Sequence, residues 1–402
     1  MQLREWNARL HGLVVFRALL GDPVVAKLAA LTDRLEAADD TIAPLCDAVA
    51  AFEAALFAHT TNLGDYLSNA VLETETFCVR QAAAGQLSPV MEAALNSELN
   101  FLQKLCGLTL DALLEAADRQ NRELAFLPRW EARQLDLTAA YNQRMREAGK
   151  KGYGMFAKHH VFTVENGQLV PVKYPDPQKL SELPGYEKER EKVIANTRAL
   201  LAGSPANNVL LYGDAGTGKS STVKAIANEY AADGLRLVEV KKNQLYQIPD
   251  LMDQLAANPL KFILFIDDLS FSSNDDNFAA LKAILEGSVG GRARNIAVYA
   301  TSNRRHLIKE TLTDRTGDDI HEADTRQELM SLSARFGLTV TFASPDRDRY
   351  LYIVRELAKQ YGVDLDEHLL AVRSEAFAIR MGGRSARVAK QFIELCKSGV
   401  QV

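Results

Sequence analysis

Apolar positions recur along the first 150 residues at helical spacing. Leu28, Leu31 and Leu35 lie three and four apart, as do Leu45, Val49, Phe52 and Leu56, and again Leu95, Leu99, Leu102 and Cys106. In a helix each set falls on one face, and such a face must bury against a partner. Gly21-Asp22-Pro23, Gly85 and Pro89 read as breaks between helices, because glycine and proline interrupt the pattern. Residues 1–150 are therefore expected to form an N-terminal all-α domain, a bundle used for packing or protein contact. No catalytic pattern stands out within it.

The pattern changes near residue 150. Arg144, Arg146, Lys150, Lys151 and Lys158 cluster around Gly149, Gly152 and Gly154, with Tyr153 and Phe156 between them. A glycine-rich basic run reads first as a linker. A contact surface for a partner and a nucleic-acid contact are the alternatives, since basic and aromatic side chains together can track a backbone and stack on bases. Residues 161–164 and 169–172 flank Asn166-Gly167, a tight-hairpin signature. A linker with a short hairpin is thus expected over 151–180. From residue 181, short apolar runs at 209–212, 235–240, 262–266 and 296–300 alternate with helical stretches. Strands buried on both faces read as continuous apolar runs, which predicts an α/β subdomain with a parallel sheet over 181–342. Residues 343–402 return to helix and are expected to form a small α-helical lid.

Composition narrows the possibilities. Forty-seven basic residues against 52 acidic ones give a net charge of −5, which excludes a polybasic nucleic-acid-coating protein but not a local basic patch. With 47% hydrophobic residues the chain has ample core and is not intrinsically disordered. Cys46, Cys78, Cys106 and Cys396 form no CxxC pair, so they are expected as small core hydrophobes rather than zinc ligands or disulfides. The segment MQLREWNARLHG is too charged for a signal-peptide core, and residues 13–20 are broken by Arg17 and too short to span a bilayer. A cytoplasmic protein without membrane contact is expected.

One motif carries chemistry outright. Gly213-Asp214-Ala215-Gly216-Thr217-Gly218-Lys219-Ser220 fits GxxxxGK[ST] at every fixed position, after a predicted strand and before a predicted helix that continues with Ser221. The glycines let backbone N–H groups turn toward phosphates, and the helix N-terminus adds positive potential. Lys219 is expected on the β- and γ-phosphates and Ser220 on a magnesium ion. The second predicted strand of interest ends in Asp267-Asp268. Phosphoryl transfer needs one group for the metal and one for the nucleophile; Asp267 is the candidate for the first and Asp268 for the second.

From residue 181 onward the chain resembles the AAA+ ATPases, and within them a bacterial subfamily catalogued as a domain of unknown function. The resemblance rests on LPGYEKEREKVIANTRALL, NNVLLYGDAGTGKSSTVKAIANEY, FILFIDDLSF, YATSNRRHLI, SLSARFGL and GGRSARVAKQF. It implies an AAA+ P-loop core and further roles. Gly185 and Tyr186 would border the adenine. Asn303 would be the sensor that orients the attacking water; on residues alone, an asparagine at a strand tip fits a turn equally well. Arg335 would be an arginine finger reaching a neighbouring subunit's γ-phosphate. Arg387 is the first choice for the second sensor, with Arg384 the runner-up, and both are candidates for phosphate contact. Asp-Asp stands where most of the class carries Asp-Glu, so the carboxylate is one methylene shorter and turnover is expected to be slow. The acidic segment 313–326 reads as an inserted loop, and Phe271 reads as packing rather than as a substrate-threading aromatic.

The resulting expectation is an ATP-binding, ATP-hydrolysing, magnesium-dependent protein. It would assemble as a homo-oligomer and remodel or assemble an unknown macromolecular partner, a protein client held by the N-terminal helical domain. A nucleic-acid-binding ATPase of the initiator or helicase-loader type is a disfavoured alternative, and an ATP-gated scaffold with little turnover is another.

Overall fold

The computed structural model describes residues 3–37, 41–83, 87–117, 124–270, 277–286, 293–303 and 335–400. Gly85, Phe271 and segment 313–326 lie outside the described residues. The chain divides into two compact units, Met1–Lys158 and His159–Val402.

The first unit is helical. Each of the three predicted apolar faces lies on one helix, Pro23–Glu36, Ile42–Phe57 and Pro89–Cys106, and each is buried. The breaks work as caps. Asp22 Oδ1 accepts from the N–H groups of Val24 and Val25 at 3.0 and 3.1 Å, with Pro23 in the first turn. Ser88 caps the helix that Pro89 opens. The core is tied by Phe52 against Trp130, edge to face at 4.8 Å, and by the Trp130 indole donating to Leu108 O at 2.8 Å.

The basic stretch differs from a linker. Its residues lie in helices Leu137–Arg146, Ala148–Lys151 and Met155–Lys158, inside this unit. Tyr153 and Phe156 are buried, so neither ring is open to stack on a base. Lys151 pairs with Glu147 and Lys158 with Glu73, which offsets part of the positive charge.

The second unit is built on a seven-stranded sheet in the order β2-β1-β4-β5-β6-β3-β7. The strands are β1 (Val161–Glu165), β2 (Gln168–Pro171), β3 (Val209–Gly213), β4 (Leu235–Glu239), β5 (Lys261–Ile266), β6 (Ile296–Ser302) and β7 (Leu338–Phe342). All neighbours pair parallel except β1 with β2. The hairpin expected within a linker is therefore a sheet element: β1 extends the parallel sheet beside β4, and β2 closes that edge. Sequence could not signal this, because the partner strand lies some seventy residues ahead (Val161↔Leu237). The strand β7 escaped prediction because LTVTF alternates apolar and polar residues and is only half buried at the sheet edge.

The final three helices, Arg347–Tyr361, Glu367–Arg380 and Ala386–Lys397, pack together through Tyr350, whose hydroxyl donates to Ser374 O, and through Phe377 against Phe392. The second unit is thus a mostly parallel α/β core followed by three packed helices, and the first unit is all-α.

Candidate functional site

In a parallel sheet every strand delivers its C-terminal end to the same edge, where ligands bind in open α/β folds. Three such ends matter here. The strand β3 runs into the glycine loop, β5 ends at Asp267-Asp268, and β6, which lies between them, ends at Thr301-Ser302-Asn303. The interposed β6 brings Thr301 and Asn303 between the two acids and the loop.

The loop is shaped by its glycines. Gly213 has φ +140°, and a Cβ there would meet Phe342 O at 2.0 Å. Gly216 has φ +76°, and a Cβ would press on Ser385 and Arg387 at 3.0 Å. The helix Lys219–Glu229 starts directly after the loop. The Lys219 side chain is drawn back into it, 6% exposed, with Nζ donating to Gly213 O and Asp214 O at 2.7 Å and to Asn303 Oδ1 at 3.0 Å. Burial lowers the Lys219 pKa below the usual lysine value, against the opposing pull of Asp214, Asp268 and Asp267.

The acids are organised by hydroxyls and an amide. Ser220 Oγ donates to Asp267 Oδ1 at 2.6 Å, and Thr301 Oγ1 donates to the same oxygen at 2.5 Å. Asp268 sits in the left-handed region at φ +51°, its N–H donating to Thr301 Oγ1 at 2.9 Å. Its Oδ1 accepts from Asn303 Nδ2 at 2.8 Å.

Around these groups lies a cavity of about 1010 Å³. Ala215, Gly216, Thr217, Gly218, Lys219, Ser220 and Ser221 line it, as do Asp267, Asp268, Asn303 and Arg387. Gly213 and Asp214 contribute from behind: their carbonyls hold Lys219, and Asp214 Oδ2 accepts from Ser344 N at 2.7 Å. Arg387 N donates to Gly216 O at 2.9 Å, so lid and loop touch through main chain.

Four predicted residues lie elsewhere, and Gly185, whose N–H donates to Glu187 Oε1 at 2.6 Å without lining the cavity, is the first. Tyr186 is 2% exposed and does not line the cavity; its ring stacks on Phe342 at 5.3 Å and its hydroxyl donates to Ala343 O at 2.6 Å. An aromatic ring is better buried in that core than exposed at the rim. Arg384 is held by Glu375, through Nε at 2.9 Å and a second nitrogen at 2.6 Å, and does not line the cavity. That pairing holds the Glu375 carboxyl below its usual range. Arg335 stands just before β7, whose first residue pairs with Val209 at the start of β3. The glycine loop is at the other end of β3, on the order of 15 Å away along the strands.

Sequence reasoning missed Thr301, Arg190 and Lys390. The first had a signal: Thr301 is two residues from Asn303, and period-two alternation puts both on one strand face. The second had one as well. In the helix Glu187–Leu201 the buried stripe is Arg190, Val193, Thr197 and Leu200, and a charge on such a stripe asks for a partner. Lys390 lies one turn beyond Arg387, at an i, i+3 position.

Among the described residues no helix is long and apolar enough to cross a membrane, and no group of three His, Cys, Asp or Glu gathers at metal-binding distance. Comparison with known proteins adds the following. A replication factor C large subunit from Methanococcus maripaludis is 23% identical over 199 residues, covering 48% of this chain and 36% of that protein. The Holliday junction branch migration complex subunit RuvB from Koribacter versatilis is 28% identical over 196 residues, 48% of this chain and 51% of the relative. The chain thus spans between about a third and a half of these curated relatives. Among solved structures, the RuvB Holliday junction branch migration motor of Thermotoga maritima matches at 18% identity and a TM-score of 0.38, over 56% of this chain and 67% of that one. The family described as "Protein of unknown function (DUF815)" matches residues 156–400. That is more than half of the chain, and the chain belongs to this family.

Proposed function

We propose that the protein binds and hydrolyses ATP with magnesium, and couples the nucleotide state to remodelling or assembly of a macromolecular partner. The observation that supports this best is the meeting of three hydrogen-bonded pairs in one cavity: Lys219 with Asn303, Ser220 with Asp267, and Asn303 with Asp268. The ammonium of Lys219, now bonded to carbonyls, would turn to phosphate oxygens, with Gly216, Thr217, Gly218 and Ser221 contributing around them. Ser220 and Asp267 offer two hard oxygens 2.6 Å apart, a donor set that fits Mg²⁺ held jointly with phosphates. When bound, the ion would neutralise charge on the phosphates. Asp268 and Asn303 would orient the attacking water, the carboxylate accepting its proton. Arg387 would reach the phosphates from the lid, with Lys390 beside it. Arg335, remote from the loop of its own chain, suits a site shared between subunits of a homo-oligomer. A cytoplasmic protein client bound by the helical unit completes this reading.

Titration calorimetry with ATP, with and without magnesium, and phosphate release test the core of it. Binding that needs Lys219, and release that Asp268→Asn abolishes while ATP still binds, are the expected results. Mixing Arg335→Ala with Lys219→Ala protein should recover part of the activity; no recovery from an intact assembly would refute the shared site.

A second reading takes nucleic acid as the partner. It is favoured by kinship with proteins named for replication factor C and for Holliday junction branch migration. Burial of Tyr153 and Phe156 weighs against stacking by the basic stretch. A salt-dependent mobility shift on single- or double-stranded DNA decides between the two.

A further inference from the structure

Arg190 is the least expected member of the cavity wall. It is 7% exposed, a degree of burial that charged side chains reach almost only when paired. Its pairing is poor. The nearest carboxylate oxygen, Glu187 Oε1, is 3.6 Å away, beyond hydrogen-bond length, on a side chain 59% exposed. That same oxygen already accepts from Gly185 N at 2.6 Å. Among the described residues no side chain or carbonyl accepts a hydrogen bond from the guanidinium. Burial also pulls the Arg190 pKa below the ordinary arginine value, the sign of a charge held away from water.

The surroundings say what ligand this group would meet. Arg190 lines the cavity with Leu183, Pro184, Ile353 and Leu357, the apolar part of its wall. Gly185, next to Pro184, lies directly against Ile353, since a Cβ on it would come within 2.8 Å of the Ile353 Cγ1. The groups assigned above to phosphate and metal are on the loop, β5, β6 and the last helix, so this apolar wall is left for the base, in a cavity that Gln178, Ser181, Glu182 and Gln360 also line. Apolar walls with a few placed polar groups are the usual design of a small-molecule site: the walls supply burial and a buried donor such as Arg190 fixes orientation.

We propose that Arg190 is the base-reading residue of the nucleotide site, donating a hydrogen bond to a ring nitrogen of the purine. The inference rests on the nucleotide-binding reading above and deepens it. A guanidinium carries five N–H donors and no acceptor, so it selects ligands that present acceptors in its plane. Adenine offers N1, N3 and N7. The exposed Glu187 then serves to hold the turn at Gly185 rather than to neutralise the arginine.

Calorimetry on the full chain separates base from phosphate. The probes are the magnesium complexes of ATP and of inorganic tripolyphosphate, and the variants are Arg190→Met, which keeps the apolar stem, and Arg190→Lys. Arg190→Met should weaken ATP by about 10- to 100-fold, the range for a lost hydrogen bond to a charged group. Tripolyphosphate binding should stay within about twofold of the native value, against that same range. Wild-type protein needs no variant to be informative: one of 1-, 3- or 7-deaza-ATP should bind at least about 10-fold more weakly than ATP, and Arg190→Met should not distinguish that analogue from ATP. The proposal is overturned if Arg190→Met weakens both ligands equally, if it leaves ATP unchanged, or if all three analogues bind wild-type protein like ATP. Wild-type protein that binds tripolyphosphate but not ATP also overturns it. Protein that binds neither refutes the underlying nucleotide reading itself.

Discussion

Thr301→Val removes a single hydroxyl from the centre of the site. Thr301 is buried, and valine fills nearly the same space, so the loss is chemical rather than steric. Two hydrogen bonds disappear. Thr301 Oγ1 no longer donates to Asp267 Oδ1, and Asp268 N–H no longer has Thr301 Oγ1 as acceptor. The first is charge-assisted and worth about 1.5–3 kcal/mol. The second helps hold Asp268 at φ +51°, a left-handed conformation that costs a non-glycine residue about 1–3 kcal/mol. What then remains on the Asp268 N–H is the 3.1 Å bond to Asp267 Oδ1, from an oxygen itself less restrained. The backbone at 268 is free to relax toward negative φ, which swings the carboxylate away from Asn303. Misplacing a catalytic group by about 1 Å costs about 100-fold, and about 1.5–3 kcal/mol corresponds to about 10- to 150-fold in rate. Thr301→Val is therefore expected to lower kcat by roughly 10- to 100-fold. ATP affinity should change by less than about threefold, under 1 kcal/mol, because the Lys219 contacts are untouched. Thr301→Ser, which restores the hydroxyl, should recover most of the rate. Steady-state phosphate release and ATP titration on the three proteins provide the check. Native turnover in the valine variant, or a serine variant as impaired as valine, would refute the reasoning.

Other substitutions probe other parts of the chain. Glu53 is 2% exposed with neither carboxylate oxygen hydrogen-bonded, and burial outweighs the nearby Arg129 to push its pKa from 4.5 up to about 7. The folded state binds the extra proton, so stability should fall by about 3 kcal/mol as pH rises from about 4.5 to about 7, and Glu53→Gln should flatten that slope in urea denaturation. Arg384→Ala should lower the melting temperature, by about 1 kcal/mol of stability for a half-exposed bidentate pair, and leave ATP affinity intact, whereas Arg387→Ala should weaken ATP binding with little loss of stability. Gly213→Ala forces a Cβ against Phe342 O and should yield protein with a markedly lower melting temperature as well as impaired nucleotide binding.

Much of this architecture could be read from residue order, and the exceptions share a cause. Helical faces such as Leu45, Val49, Phe52 and Leu56, and the strands β3 to β6, are legible because burial of a single element leaves a local period. The glycine loop is legible because its chemistry is contained in eight consecutive residues. What was not legible depends on partners distant in the chain. Tyr186 reads as a rim residue until Phe342 and Ala343 are seen to bury it. Arg387 is preferred to Arg384 by resemblance alone, and the physical reason lies outside the motif, in Glu375 on the preceding helix, which holds Arg384 while Arg387 lines the cavity. The hairpin at 161–171 is a linker by composition and a sheet element by virtue of β4.

The loop itself carries the same lesson in a functional form. Its glycines are explained locally by main-chain amides turning inward around phosphates. The structure adds a second demand on the opposite side. Gly213 must clear the carbonyl of Phe342, the last residue of β7, and Gly216 must clear Ser385 and Arg387 at the start of a lid helix. Main-chain and side-chain bonds reinforce both approaches: Asp214 N–H donates to Phe342 O, Asp214 Oδ2 accepts from Ser344 N, and Gly216 O accepts from Arg387 N. A nucleotide that draws Lys219 off the carbonyls of Gly213 and Asp214 therefore disturbs the two residues beside the lid attachment. The loop is bonded to the last helix on its outer side, and if phosphate binds on its inner side as proposed, a change at one face would reach the other without any intermediate element.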